Sequence, residues 1–299
     1  ISLVFKNIWR RKIRSFLTAT SMAVAVCAVI SMLGAAEGYE QSFSDLYNAR
    51  DVDLVIVRGG VTQRVASMLD ATIGDRIAAL DGVKAVEGTL VDLHSIPEKN
   101  LVAVYIFGVP HNTILAEESK LKEGRKLTLN DRRKVVMGQT LARNLGKKFG
   151  DKVEFYGETF EIVGVFDSFN LLESNGAVMP MDELQEILGK KDQVTTFLVM
   201  LQPSYKTPEK VQEIREEIEA MRHPSGRSLN LEVQTTQDHV RTNFETQMMK
   251  GLAWISSTIA MLIGFISMLN TMMMSITERI REIATFRAIG WRKLRVMRM

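Results

Sequence analysis

Among its 299 residues the chain has one cysteine, Cys27, and only six prolines. A lone cysteine forms no intramolecular disulfide, so any domain outside the cytoplasm must be held by its own apolar core. The four histidines, His94, His111, His223 and His239, are scattered. None stands at the i, i+3 or i+4 spacing that puts two imidazoles on one helix face for a metal, and they read as surface residues. No G-x-x-x-x-G-K-[ST] motif occurs: Gly146-Lys147 and Gly189-Lys190 lack both the upstream glycine and the following hydroxyl. Those are the groups that hold phosphates and magnesium, so ATP binding by that route is excluded. A nucleophile elbow, a catalytic cysteine and a Gly-rich dinucleotide loop are missing too. Asp51 and Asp53 read as a solvated strand start rather than a catalytic dyad. No enzyme activity, cofactor or metal is expected within this chain.

Charge is also missing, but locally. Residues 15–36 hold 22 positions without a charge, about 33 Å of helix at roughly 1.5 Å per residue. That crosses a hydrocarbon core of ~30 Å. Residues 251–277 hold 27 uncharged positions, enough to span with tilt. Both read as transmembrane helices. A cleaved signal peptide competes for the first run, kept open by Gly34, Ala35 and Ala36, although a signal core is only ~7–15 residues.

The formal net charge of +3 is a sum of opposed regions. Residues 1–14 carry five basic residues and no acid, and residues 278–299 carry seven basic residues against Glu278 and Glu282. By the positive-inside rule both ends are cytoplasmic. Residues 37–250 keep 26 basic and 33 acidic residues, a net −7, and are the translocated part. The pI of about 8.9 therefore points to anionic membrane lipid and not to nucleic acid.

Within residues 37–250 the polar stretch 35–50 suits a helical extension. Residues 52–57 (VDLVIV) form a strand closed by Gly59-Gly60. Val65, Met68, Leu69, Ile73, Ile77 and Leu80 predict one helix stopped at Asp81-Gly82. Strands at 84–93 and 101–107 follow. A second set comprises a strand at 196–201, a helix at about 208–221 with Thr207 as N-cap and Pro208 first, and a strand at 229–233. Two strand-helix-strand units around a long insertion predict a ferredoxin-like element order. The insertion, about 110–194, is mostly β: a strand at 134–137, a short helix at 139–145, a hairpin around Gly157, and an acidic helix at 181–188. From Thr236 no breaker intervenes, which predicts one long stalk helix, about 236–250, running into the second span. The fold class is therefore α+β: two transmembrane helices flanking a two-subdomain mixed α/β extracytoplasmic domain.

Methionines crowd the second span (Met248, Met249, Met261, Met268, Met272, Met273, Met274). They read as lipid-facing or packing residues before a flexible substrate surface. Ser267, Asn270 and Ser275 suit interhelical hydrogen bonds.

Residues 1–14 place Ile1, Val4, Phe5, Ile8 and Trp9 opposite Lys6, Arg10, Arg11 and Arg14, with Leu3 and Lys12 breaking the pattern. This reads as a cytoplasmic amphipathic helix at the membrane interface, with Phe5, Trp9, Arg10, Arg11 and Arg14 as its contacts; mere flanking charge is the alternative. Residues 275–290 (SITERIREIATFRAIG) mix Glu and Arg with Ile280, Ile283, Ala284, Phe286 and Ile289. A short charged helix with an apolar face below a span fits a groove on a cytoplasmic partner, and Gly290 ends it.

These segments carry a resemblance. Residues 5–17 (FKNIWRRKIRSFL), 135–166 (VVMGQTLARNLGKKFGDKVEFYGETFEIVGVF) and 277–290 (TERIREIATFRAIG) resemble the MacB-type permeases of ABC transporters, whose relatives include lipoprotein-releasing and FtsX-like permeases. The resemblance implies a non-catalytic permease that dimerises with a second copy or a paralogue and binds a separate cytoplasmic ATPase. ATP and magnesium would be held by that ATPase. Its closure would pass through a coupling helix and stalk to a porter-type outer module by mechanotransmission, with a periplasmic adaptor or substrate protein as further partner. By position, Glu278, Arg279, Arg281, Glu282, Ile283, Arg287 and Gly290 match the ATPase-docking coupling helix. The implied location is the bacterial inner membrane, multi-pass. Family members continue into two further spans, whereas this sequence begins at Ile1 and stops in WRKLRVMRM, which resembles the start of a third. A fragment of a four-span permease is expected. Two rivals stand beside export: a two-span sensor, which should continue after its second span into a heptad relay, and an FtsX-like regulator of an extracytoplasmic hydrolase.

Overall fold

A computed structural model describes residues 12–61, 64–110, 120–128, 130–168 and 170–291. The chain divides into two compact units, residues 1–38 with 248–299, and residues 39–247.

In the first unit, helix α1 (Lys12–Ala49) and the last helix, Phe244–Ala288, supply the apolar stretches Ala19–Ala49 and Phe244–Glu278, each with mean hydropathy 2.0. Only 6% and 11% of their most apolar windows are buried, which a soluble core helix of this composition would not tolerate. Large apolar side chains point outward all round, among them Phe16, Ile30, Trp254, Ile263 and Phe265; such a helix suits lipid. Where the two helices meet, the residues are small. A Cβ on Gly264 would lie 3.1 Å from that of Ala25, and Ser21 Oγ lies 3.0 Å from Ser267 Oγ. Close backbone approach and a shared hydroxyl bond are the usual means of helix association without a hydrophobic driving force. Thr258, Thr271 and Thr277 return their hydroxyls to the carbonyls of Trp254, Ser267 and Met273, four residues back, so none presents an open hydroxyl to hydrocarbon.

The second unit is built on one continuous sheet. Strand β1 (Leu54–Arg58) is apolar at successive positions because both of its faces are covered. Leu54 and Ile56 pack with Ile77, Phe197, Val199, Ile214, Ile218 and Val233, while Val55 and Val57 pack with Phe43, Tyr47, Leu198 and Val240. After β1 come β2 (Leu69–Asp70), helix α2 (Ile73–Ala78) and the 14-residue β3 (Val83–Ile96). The insertion follows as β4 (Leu101–Val109), β5 (Lys120–Gly124), β6 (Lys134–Gly138), α3 (Gln139–Leu145), β7 (Lys152–Phe155), β8 (Glu158–Asp167), α4 (Leu171–Ser174), β9 (Gly176–Pro180) and α5 (Met181–Leu188). The chain then returns through β10 (Gln193–Val194), β11 (Thr196–Leu201), α6 (Pro208–Glu219), β12 (Leu231–Thr235), α7 (Thr236–Thr242) and α8 (Phe244–Ala288).

The order β12-β1-β11-β3, antiparallel at every step, with α2 and α6 as the crossovers, is a ferredoxin-like unit. The sheet then passes into the insertion as β3-β4-β9-β6-β8-β5. The insertion has its own core, centred on Leu90, Ile106, Met137, Phe155, Phe160 and Met179. The hairpin at Gly157 is a two-residue turn with φ of 55° at Tyr156 and 76° at Gly157, the I′ geometry that matches strand twist.

Four expectations need correction. The insertion departs from the ferredoxin-like unit not at Pro110 but halfway along β3: residues up to Thr89 pair with β11, and from Leu90 onward with β4. Thr195 marks the fork, its hydroxyl donating to Thr89 O at 2.9 Å and accepting from Val91 N at 3.1 Å. The single helix over residues 65–80 is instead a 3₁₀ turn (Arg64–Ala66), β2 paired to β10, and the six-residue α2. There the Asp70 carboxylate accepts both the N–H and the hydroxyl of Thr72, a local turn that delays the helix. The last strand lies at Leu231–Thr235, not 229–233. The stalk of about 236–250 is two helices, broken at Asn243 with ψ 132°. Asn243 N donates to His239 O, its carbonyl accepts from Gln247 N, and its Oδ1 accepts from Glu245 N, so one asparagine closes α7 and caps α8.

Asp131, 4% exposed, holds the β5–β6 connection by accepting two bonds from Arg125 at 2.6 and 2.7 Å and one from Thr128 N at 2.7 Å. The Arg125 guanidinium above all keeps this carboxyl well below the usual carboxylate range. A depressed folded-state value contributes stability that is present above the unfolded value, ~3.9, and is lost as pH falls through the folded one. Asp131→Asn is expected to lower unfolding free energy by about 2 kcal/mol at pH 7. Denaturant titrations of the two proteins should converge as the pH is taken below ~4.

Candidate functional site

The residues singled out in the sequence are placed unevenly. Phe5, Trp9, Arg10 and Arg11 lie outside the described residues, and Arg14 is a backbone position in α1. Glu278, Arg279, Arg281, Glu282, Ile283 and Arg287 all fall on α8, with Glu278 and Ile280 exposed. The helix ends at Ala288, the last bond running from Ile289 N to Thr285 O, and Gly290 takes φ +94°. A left-handed glycine at that position stops a helix.

The outer unit holds a second constellation that the sequence did not reveal. Tyr39, Phe43 and Tyr47, at i, i+4 and i+8 of α1, lay one aromatic stripe against the sheet. Arg50 follows directly. It is 5% exposed, and its Nη2 lies 2.7 Å from Glu173 Oε1, the two side chains 6% and 8% exposed. Glu173 also accepts from Ser168 Oγ at 2.9 Å. It is carried by α4, whose first turn is capped by Asn170 Oδ1. Gly138 lets α4 approach: any Cβ there would lie 2.3 Å from Ser174 O.

The second helix root makes a parallel contact. Glu245 Oε1, at the start of α8, accepts from Tyr105 OH of β4 at 3.0 Å. Arg241 Nε of α7 lies 3.6 Å from Glu40 Oε1 of α1. His239 is buried rather than on the surface, with Nδ1 2.9 Å from Gln234 Oε1 and its ring edge-on to Tyr47. Contacts such as Arg50 to Glu173 join residues far apart in the chain, and no spacing rule could have exposed them. The local hint was an arginine at a helix end followed by a β-branched strand. Among the described residues, no group of three or more His, Cys, Asp or Glu could hold a metal.

The profile of the MacB-like periplasmic core domain matches residues 15–220, and that of the FtsX-like permease C-terminal region matches residues 254–299. The chain belongs to the MacB-type ABC transporter permease family. It is 23% identical over 317 residues to the macrolide export ATP-binding/permease protein MacB of Nitrosomonas europaea, covering 99% of this chain and 47% of that one. It is 24% identical over 310 residues to an uncharacterised ABC transporter permease of Methanocaldococcus jannaschii, covering 97% and 75%. The chain thus spans about half the length of the MacB relative. The crystal structure of the periplasmic region of MacB from Actinobacillus actinomycetemcomitans superposes with TM-score 0.49 at 15% identity, over 67% of this chain and 97% of that one. As a MacB-type permease, the chain is a membrane component of an ABC-type system with a periplasmic-type domain. The segment of Glu278 to Gly290 falls within its FtsX-like region.

Breaking a buried ion pair from one side strands a charge, whereas replacing both partners by apolar groups is often neutral. Arg50→Met is expected to cost about 3–5 kcal/mol, and the double variant Arg50→Met/Glu173→Leu to recover most of it. Thermal unfolding of wild type, both single variants and the double variant measures this directly.

Proposed function

We propose that this chain is the permease subunit of an ABC-type export or extrusion system in the bacterial inner membrane. In this reading it carries ATPase-driven movement from the cytoplasm to its outer domain without passing substrate between its own helices. The observation that carries the proposal is α8: it runs unbroken for 45 residues from Phe244 to Ala288, with a Tyr105-bonded Glu245 in its first turn. Its later part carries the Glu/Arg segment within the FtsX-like region. An uninterrupted helix conserves displacement along its axis.

The partners follow from the same reading. A cytoplasmic ABC ATPase, holding ATP and magnesium, docks on Glu278, Arg279, Arg281, Glu282, Ile283 and Arg287, with Gly290 ending the docking helix. The MacB relative is named as an ATP-binding/permease protein, the archaeal one as a permease. These 299 residues contain no phosphate-binding loop, which supports nucleotide binding elsewhere in the assembly. We place the ATPase on a separate subunit. A second permease copy or paralogue completes the membrane assembly, a periplasmic adaptor or substrate protein engages the outer unit, and Phe5, Trp9, Arg10, Arg11 and Arg14 anchor the first segment to lipid.

Co-purification tests the docking surface. A cytoplasmic ATPase is expected to accompany the full-length wild-type protein from gently solubilised membranes, and to be lost on the charge reversal Glu282→Lys/Arg287→Glu with the permease itself still folded. Recovery of no ATPase with the wild type would overturn the reading in favour of a two-span sensor.

A further inference from the structure

We propose that the outer unit binds a linear phosphate-bearing polymer on an arginine patch, at the end of the ferredoxin-like sheet opposite the one that α7 joins. This goes beyond the coupling role and does not depend on it. Strand β1 starts with Leu54 opposite Thr235, the residue before α7, and ends with Arg58 opposite Leu231. Gly59 N donates to Asn230 O at 2.7 Å, so the turn between α6 and β12 lies at that far end. Arg58, Arg76 of α2, Arg222, His223 and Arg227 are all exposed there.

Charge is segregated along the strands. Residues 37–250 carry a net −7, and the cations at the α7 end are neutralised: Lys84 and Lys206 lie 3.0 and 2.5 Å from Asp51, and Lys206 lies 3.0 Å from Asp53. At the far end, among the described residues, Arg58, Arg76, Arg222 and Arg227 have no carboxylate partner. The acids near them are occupied, Asp70 by Thr72 and Glu219 by Arg215 and Val233 N. Asp75 precedes Arg76 by one position, a spacing at which helical side chains do not face each other.

The patch is also built. His223 N donates to Arg227 O at 2.9 Å, Gly226 N donates to His223 O at 2.8 Å, and Arg222 bridges to Ser228. Two guanidiniums are held on this turn through a single nitrogen each: Arg76 Nη1 donates to Arg222 O at 2.9 Å, and Arg227 Nε donates to Ser225 Oγ at 3.3 Å. Their remaining N–H groups are left for a ligand, with part of the side-chain ordering cost already met.

The surroundings narrow the partner. The exposed large apolar side chains of the outer unit, Leu93, Val102, Phe149 and Phe244, lie on β3 and β4 beyond the fork, after α3 and at the start of α8, and none is at this end. A folded protein partner would find no apolar centre to bury, and a bilayer would find no side chain to insert. A linear polyanion needs neither, since release of its counterions drives binding. Arginine forks fit carboxylate and phosphate alike. Here the guanidiniums come from two helix ends and a turn, and a tetrahedral phosphate offers acceptors in several directions where a planar carboxylate offers them in one plane.

Phenylglyoxal, which modifies free guanidinium groups, reads the patch one arginine at a time. The full chain in nanodiscs of zwitterionic lipid is treated with it in the presence and absence of excess polyphosphate, and the modification rate of each arginine is followed by mass spectrometry. Polyphosphate bound to the basic segments 1–14 and 278–299 does not enter this local readout. Modification of Arg76, Arg222 and Arg227 is expected to slow by about threefold or more, and the protection to vanish between about 0.05 M and about 0.5 M salt. Arg132 and Arg143, exposed on the insertion, should be little changed. Orthophosphate at equal total phosphate, which lacks the linkage between groups, and polyglutamate at equal charge should each protect about fivefold less. The variant Arg76→Gln/Arg227→Gln should raise the polyphosphate concentration that half-protects Arg222 by about tenfold. The proposal is overturned if Arg222 and Arg227 are not protected in the wild type, if Arg132 and Arg143 are protected equally, or if the double variant behaves as the wild type. It is overturned as well if orthophosphate matches the polymer, which would mean a single-anion site, or if polyglutamate does, which would mean an acidic protein segment as the partner.

Discussion

A guanidinium and a carboxylate that have both left water, Arg50 and Glu173, set the constraint on which the outer unit depends. Removing two charges from solvent is expensive, and their attraction returns little net stability. What the pair supplies is selectivity among arrangements. Helix α4, which carries Glu173, has only four residues, too few to persist alone when helix nucleation is so costly. Its position is dictated by the Asn170 cap, by the close approach at Gly138 and by the Arg50 contact. Any other docking of this segment would leave a buried charge without its partner. The end of α1 and the insertion are therefore fixed to each other by the penalty for separation more than by any gain on meeting.

That contact matters because the backbone joins the two lobes of the outer unit so economically. One strand, β3, serves the ferredoxin-like sheet up to Thr89 and the insertion from Leu90, and Thr195 fills the ladder where β11 leaves and β4 takes over. Two side-chain contacts supplement it, one from each helix root: Arg50 to Glu173 and Glu245 to Tyr105. Both end on the insertion side of the fork. The insertion is thus held by a shared strand and by the two chain segments that continue as the apolar helices.

Much of this architecture was legible in residue patterns, for identifiable reasons. The uncharged runs at 15–36 and 251–277 are each long enough to cross a hydrocarbon core as a helix. The strand-helix-strand repeat showed through because β1 and β11 are apolar at consecutive positions and Pro208 opens α6 with Thr207 before it. Failures came where a local side-chain bond overrode periodicity. Val65 to Leu80 has helical spacing, yet Asp70 captures Thr72 and Leu69 is drawn into a ladder with Val194. Asn243 looked like an ordinary helical residue, yet it caps in both directions. The lobe boundary was missed because a strand that changes partners midway has no signature of its own. Of the candidate site, the Glu/Arg segment could be read because its residues are neighbours in the chain. The Arg50 cluster could not, since its members meet only in three dimensions.

The break at Asn243 also separates two helices with different attachments. Helix α7 is fixed to the ferredoxin-like sheet: Val240 packs with Val55 and Leu198, and the Thr236 hydroxyl donates to Val52 O at 2.7 Å. Asn243 is extended between them and bonded to both, donating to His239 O and accepting from Gln247 N and Glu245 N, so α7 and α8 are separate helices joined by one cap. The first side chain of α8 to engage the outer unit is then Glu245, and its partner Tyr105 belongs to β4 of the insertion. Through Tyr105 the root of α8 is bonded to the insertion, while α7 is packed on the ferredoxin-like sheet, so the helices on either side of Asn243 are seated on different lobes of the outer unit.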